Sequence, residues 1–134
     1  MRARRQTLQF GPQRHRLAAG VLEALDALAD LTLGVLTNKP GDLSRTLLLG
    51  MGAAHRFARI WGGGDVPGPK PDPQGLVRLM AELGAGAEET AMVGDSPVDV
   101  ATGRAAGVLS VGVTYGLDPR GVVSSRPEVL LDDL

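Results

Sequence analysis

The stretch at residues 90–99, T-A-M-V-G-D-S-P-V-D, leaves this chain little freedom in how it can fold. Three apolar residues, Ala91, Met92 and Val93, are cut off by Gly94; Asp95 follows at once and Asp99 four positions later. An apolar run stopped by glycine, then a hydroxyl and a proline, predicts a buried strand opening onto a helix, with Ser96 as cap and Pro97 in the first turn. Asp99 then lies about one turn into the helix and faces the strand mouth together with Asp95. Two carboxylates there suit Mg²⁺, which takes one or two protein carboxylates and leaves its other positions to water and phosphate oxygens. The same pair also suits plain structural work, Asp95 as a cap and Asp99 as a first-turn acid favoured by the helix dipole.

The rest of the chain repeats the alternation of strand and helix. Residues 19–29 carry Val21, Leu22, Leu25, Leu28 and Ala29 at helical spacing. Residues 31–36, L-T-L-G-V-L, read as a strand covered on both faces, ending in Thr37-Asn38-Lys39-Pro40. A second helix is expected from Asp42 or Ser44 to Leu49 or Met51, and a short strand at residues 58–61. The proline-dense segment 67–73, P-G-P-K-P-D-P, predicts a rigid loop. Residues 74–83 form a helix with Leu76, Val77, Leu79, Met80 and Leu83 as its apolar stripe. After the 90–99 stretch the helix runs to Ala106 with Gly107 as its C-terminal cap, followed by a strand at 109–113 and a last short strand at 128–131. Helix, strand, helix, strand throughout predicts an α/β fold, a Rossmann-like three-layer sandwich with a mostly parallel sheet. The chain divides into a poorly placed N-terminal segment, 1–18, and a core, 19–134; within the former, residues 7–10 (T-L-Q-F) alternate like a strand before Gly11-Pro12.

Composition narrows the function classes. A chain of 134 residues with a formal net charge of −1 has no electrostatic reason to bind nucleic acid or an anionic membrane, although Arg2, Arg4, Arg5, Arg14 and Arg16 cluster at its start. With no cysteine there is no thiol nucleophile, thiolate metal site or disulfide. No apolar run approaches the roughly 20 residues that span a bilayer, so a cytoplasmic location is expected.

In parallel sheets, ligands bind beyond the carboxyl ends of the strands. Thr37 and Asn38 follow one such end, Asp95 and Asp99 another, and Lys70 lies in the proline loop between them. A hydroxyl and an amide that donate to phosphoryl oxygens, an ammonium that supplies positive charge, and two acids that hold a metal together describe a phosphate site. Taken singly, Thr37 and Asn38 are also ordinary turn formers, and Lys70 an ordinary loop lysine. Lys39 adjoins the motif or is simply exposed, and His15 and His55 read as surface or loop residues.

It is the order, T-N-K-P after a strand, then G-x-K-P-D-P, then V-G-D-S-x-x-D after another, that resembles motifs two, three and four of the haloacid dehalogenase superfamily of phosphatases, nearest to its phosphoglycolate phosphatase-like branch. The segments A-T-G-R-A-A-G-V at 101–108 and V-G-V-T-Y-G at 111–116 resemble that branch too, so the likeness runs over about residues 19–134. It implies that Thr37 and Asn38 bind the phosphoryl group and that Lys70 holds the phosphate and a nucleophilic aspartate. It further implies that Asp95 ligates Mg²⁺, while Asp99 ligates it or orients its waters. The substrate would be a small phosphorylated metabolite.

The family's first motif, D-x-D-G-T, which supplies the attacking aspartate and the acid–base aspartate, does not occur in this sequence, nor does the helical cap domain that follows it. The family places that strand between the one ending at Thr37 and the one ending at Gly94. The two strands are therefore expected to pair directly, to be joined by residues 7–10, or to receive a strand from a partner or a second copy. Two functions are compatible with this sequence: a phosphatase core without its nucleophile and cap, or a catalytically silent phosphate-binding or regulatory module. A receiver domain would carry its acids early and its lysine late, and a phosphate-binding loop of the G-x-x-x-x-G-K-[ST] type is missing around Lys70.

Overall fold

The computed structural model describes residues 21–132 of the chain. Its elements are α1 (Val21–Ala27), β1 (Gly34–Pro40), α2 (Gly41–Gly50), β2 (Arg59–Gly63), α3 (Gln74–Leu83), β3 (Ala91–Gly94), α4 (Pro97–Ala106), β4 (Leu109–Val113), α5 (Pro119–Ser124) and β5 (Val129–Leu131), with single 3₁₀ turns at Ala54–Arg56 and Ala87–Glu89. All strand pairs are parallel: β1 with β2, β3 with β4, and β4 with β5. This is the α/β, Rossmann-like arrangement that the sequence predicts.

Side-chain alternation sorts the helices onto two faces. Leu33 and Val35 face Leu25 of α1, Leu48 of α2 and Phe57. The next residue, Leu36, faces Leu76, Leu79 and Met80 of α3, which also cover Met92 of β3 and Val108. Six largely buried side chains of this second cluster remove enough apolar surface to contribute on the order of 1.5–3 kcal/mol each. Helix α3 therefore packs against both halves of the molecule. Val77, expected in the stripe, is instead about half exposed, because the stripe on a helix this short is satisfied by Leu76, Leu79 and Met80. Helices α3 and α4 end at Gly84 and Gly107 in the left-handed conformation, where glycine has no steric penalty.

One of the alternatives for closing the sheet, direct pairing of the two strands, is excluded. Among the described residues the strands form a two-stranded sheet, β1–β2, and a three-stranded sheet, β3–β4–β5; β1 and β3 do not pair with each other. Helix α3 spans this interval on one face, packing on both Leu36 of β1 and Met92 of β3. The alternative bridging strand, residues 7–10, and the segment 1–18 lie outside the described residues.

Three local readings also change. Strand β1 does not stop at Leu36 but continues through Thr37, Asn38, Lys39 and Pro40, because it pairs again with β2 at Pro40 and Gly63. Between the strands at 109–113 and 128–131, where no helix is predicted, α5 forms. Its Asp118 carboxylate accepts a hydrogen bond from the Gly121 amide and Pro119 occupies the first turn, both helix-start signals that were visible in the sequence. Ser96 occupies the cap position of α4, yet its hydroxyl donates to the Asp99 carboxylate and does not cap the backbone.

Candidate active site

The site lies where β1 and β3 end, and it is assembled from three segments. On the β3 side the local sequence does the work. Asp95 and Asp99 are each 1% exposed. One Asp99 oxygen accepts the Asp95 backbone N–H at 3.1 Å and the Ser96 hydroxyl at 3.1 Å, closing the first turn of α4 back onto the strand end. The other accepts a hydrogen bond from the Lys70 ammonium at 2.6 Å. One Asp95 oxygen accepts the Leu117 amide at 2.7 Å, which ties the loop after β4 to the same spot. Space is set by two glycines: a Cβ at Gly94 would sit 2.2 Å from that of Asp99, and one at Gly116 would sit 2.2 Å from an Asp95 oxygen.

The β1 side is built differently. Between its Leu36–Trp61 and Pro40–Gly63 pairs, β1 runs through Thr37, Asn38 and Lys39 where β2 has Gly62 alone. The extra length bulges the strand, and a bulge re-aims the side chains it carries. Asn38 reaches the proline loop, its side-chain NH₂ donating to the Lys70 carbonyl at 3.1 Å and its oxygen accepting the Lys70 amide at 2.8 Å. The Thr37 hydroxyl oxygen accepts the Lys39 amide at 3.2 Å within the bulge, and Ser44 donates to the Pro40 carbonyl at 2.9 Å where the strand passes into α2.

Lys70 is the joint. Its backbone is held by Asn38 at the end of β1 and its ammonium by Asp99 in α4, and it is 6% exposed. Asn38, Lys70, Asp99 and Asp95 thus form one hydrogen-bonded chain across the interval between the half-sheets, with Thr37 next to Asn38 on the bulge. His55, exposed on a 3₁₀ turn, accepts a hydrogen bond from the Arg56 guanidinium.

Sequence reasoning missed a second cluster just behind the bulge. Asp65 accepts the Gly62 amide at 2.8 Å and lies against Gly41, whose added Cβ would fall 1.9 Å from its carboxylate. Arg45 of α2 donates to Asp65 at 2.8 Å, to Asp42 at 2.7 Å and to the Ile60 carbonyl at 2.8 Å. The Arg45 guanidinium holds the Asp65 carboxyl below its ordinary range, while Asp65 and then Asp42 raise Arg45 in turn. Asp65 follows three glycines in a turn-rich stretch, and nothing in that context marks it for more than a turn.

For a divalent cation the fit rests on donor chemistry. Asp95 and Asp99 offer hard, buried oxygens, and among the described residues no group of three or more His, Asp or Glu converges to make a closed metal cage. That donor set is poor for Zn²⁺ and suited to Mg²⁺, which needs few protein carboxylates.

A family model described as Haloacid dehalogenase-like hydrolase matches residues 3–113. The chain belongs to this family. Within it the chain is similar to the phosphoglycolate phosphatase of Rhodospirillum rubrum, 44% identical over 116 residues that make up 85% of this chain and 48% of the relative. It is also similar to that of Agrobacterium fabrum, 37% identical over 91% of this chain and 53% of the relative. A crystal structure of a predicted phosphoglycolate phosphatase from Haemophilus somnus superimposes with a TM-score of 0.83 at 34% identity, covering 88% of this chain and 54% of that one. A haloacid dehalogenase-superfamily hydrolase from Geobacter sulfurreducens gives a TM-score of 0.74 at 29% identity, over 87% of this chain and 56% of that one. The chain spans about half the length of the relatives it matches.

Proposed function

We propose that this chain carries the phosphate- and metal-binding half of a Mg²⁺-dependent phosphatase of the phosphoglycolate phosphatase-like type. The observation that carries the reading is the buried Lys70, whose backbone is gripped by Asn38 and whose ammonium is aimed by Asp99. In this reading Thr37 and Asn38 receive the phosphoryl oxygens and Lys70 supplies positive charge beside them, where low dielectric strengthens the attraction. Asp95 would hold Mg²⁺, whose charge offsets that of the phosphoryl group. Asp99, with both oxygens committed to Lys70, Ser96 and the Asp95 amide, acts as counter-ion and orienting group more than as ligand.

The substrate would be a small phosphorylated metabolite of the cytoplasm. Without D-x-D-G-T the chain has no residue in the nucleophile's role, so the covalent step would need an aspartate from another segment. A catalytically silent phosphate-binding module is the second reading, and the missing motif is the observation that favours it. Calorimetry with MgCl₂ and inorganic phosphate tests the site: the full chain should bind both, and Asp95→Asn should lose the Mg²⁺ heat. Hydrolysis of p-nitrophenyl phosphate then separates the readings. Turnover abolished by Asp95→Asn supports an enzyme, binding without turnover supports a module, and binding of neither ion overturns both.

A further inference from the structure

We propose that Arg45 and Asp65 are positioning residues for the anion-binding end of β1: together they hold the Gly62 amide opposite the bulge, and so set Asn38 where it can grip Lys70. The inference rests on the phosphate-site reading for its functional meaning, while the coupling itself is a property of the unliganded chain.

The bulge creates the need. Where β1 carries three residues against one, Gly62 is buried and its N–H donates to the Asp65 carboxylate. The Asp65 amide returns a bond to the Gly62 carbonyl at 3.0 Å, so residues 62–65 form a turn closed from both sides. Gly62 is also in backbone contact with the bulge: an added Cβ would lie 2.3 Å from the Lys39 carbonyl oxygen and 2.9 Å from the Gly41 backbone. A shift of Gly62 therefore moves Lys39 and with it Asn38, because packed backbone has no slack to absorb the change.

Arg45 fixes the turn to the rest of the fold. One guanidinium nitrogen bonds both the Ile60 carbonyl of β2 and the Asp65 carboxylate, and the other bonds Asp42. The same side chain thus spans β2, the turn after it and the first turn of α2, the helix that β1 enters directly after the bulge. By contrast, the Arg59–Glu82 pair at 2.9 Å joins β2 to α3 with both side chains nearly half exposed and touches neither Gly62 nor the bulge. It provides a charge-matched control on the same strand.

The primary readout is amide hydrogen exchange of Lys70 in the full, ligand-free chain, since that N–H is donated to Asn38 and reports its grip. Asp65→Ala should speed Lys70 exchange by about tenfold, the effect of losing roughly one buried hydrogen bond. Asp65→Asn, which keeps an oxygen acceptor for the Gly62 amide, should restore protection most of the way, and Arg59→Ala should leave it unchanged. Inorganic phosphate affinity should fall in the same order. Unchanged Lys70 exchange in Asp65→Ala overturns the proposal, as does equal acceleration by Arg59→Ala, which would mark a general loosening. If the unmutated chain binds no phosphate, the site reading fails, and the exchange rates alone still decide for or against the coupling.

Discussion

The ends of β1 and β3 present their polar groups in opposite ways. At β3, Asp95 and Asp99 are buried; two of their bonds close within V-G-D-S-x-x-D, across three or four residues, and two more reach Lys70 and Leu117, 29 and 22 residues away. At β1, Asn38 and Lys39 are exposed, and their bulge is held by partners far along the chain: Lys70 lies 32 residues from Asn38, and Arg45 reaches Ile60 and Asp65 across 15 and 20 residues. The β3 half has a local motif at its centre; the β1 bulge depends on tertiary packing. The difference assigns different costs to disturbing each half, and Lys70, the residue common to both, carries the largest.

Breaking the joint should therefore be the most damaging change. Lys70→Met removes the ammonium bonded to the buried Asp99 carboxylate, and Asp99→Leu removes the carboxylate bonded to the buried Lys70; each should destabilise the fold by about 3–5 kcal/mol in urea denaturation. The double variant Lys70→Met, Asp99→Leu should lose less than the sum of the two, since each single change already removes their shared bond. A strictly additive result would mean that the pair is not coupled.

Next in size is a test of the local half alone. Gly94→Ala drives a methyl group into the Asp99 side chain, and Gly116→Ala drives one into Asp95. Overpacking of this kind costs about 1–3 kcal/mol. Both variants should weaken Mg²⁺ binding in calorimetry while leaving exchange at the β1 bulge untouched. If Lys70 protection falls as far as Mg²⁺ affinity does, the two halves are less independent than the contacts imply.

This contrast also explains what was legible in the sequence. Strand β4 was read to its limits and β3 to within one residue, and α3 and α4 ended at their glycines, because apolar runs and caps are encoded within a few positions. Asp95 and Asp99 could be picked out for the same reason. The extension of β1 through Pro40 could not, since T-N-K-P signals a turn and only the second pairing at Gly63 makes it strand. Nor could Arg45 and Asp65, whose significance depends on which residues of β1 and β2 face each other. The missed α5 is a different failure: Asp118-Pro119 announced it, but the flanking residues have no long apolar stripe and Val122 alone is buried.

A smaller effect probes the far half. Asn38→Ala removes both bonds to the Lys70 backbone and should cost about 1–2 kcal/mol. It should reduce phosphate affinity more than Mg²⁺ affinity, because the acids of the β3 half keep their own contacts. Equal loss of both would place the anion and the cation on one shared set of groups.

The smallest expected effect is a pH dependence confined to the β1 half. The Asp65 carboxyl lies below its ordinary value of 3.8, first because Arg45 donates to it, and the Gly62 amide adds to the effect. A carboxyl with a depressed folded pKa binds fewer protons in the folded than in the unfolded chain, so its contribution is complete above about pH 4 and is lost as pH falls through the folded value. The pair is partly solvated, which limits that contribution to about 1 kcal/mol or less. Comparing denaturation of the unmutated chain with Asp65→Asn from neutral pH down to about pH 2 should show a gap that closes on acidification. Because Asn at 65 keeps an acceptor for Gly62, the gap isolates the charge, whereas the exchange rate of Lys70 reports the geometry. A gap that widened with acid would assign the lowered carboxyl to another residue, and a Lys70 exchange rate that followed the gap would make the β1 half electrostatic where its contacts make it steric.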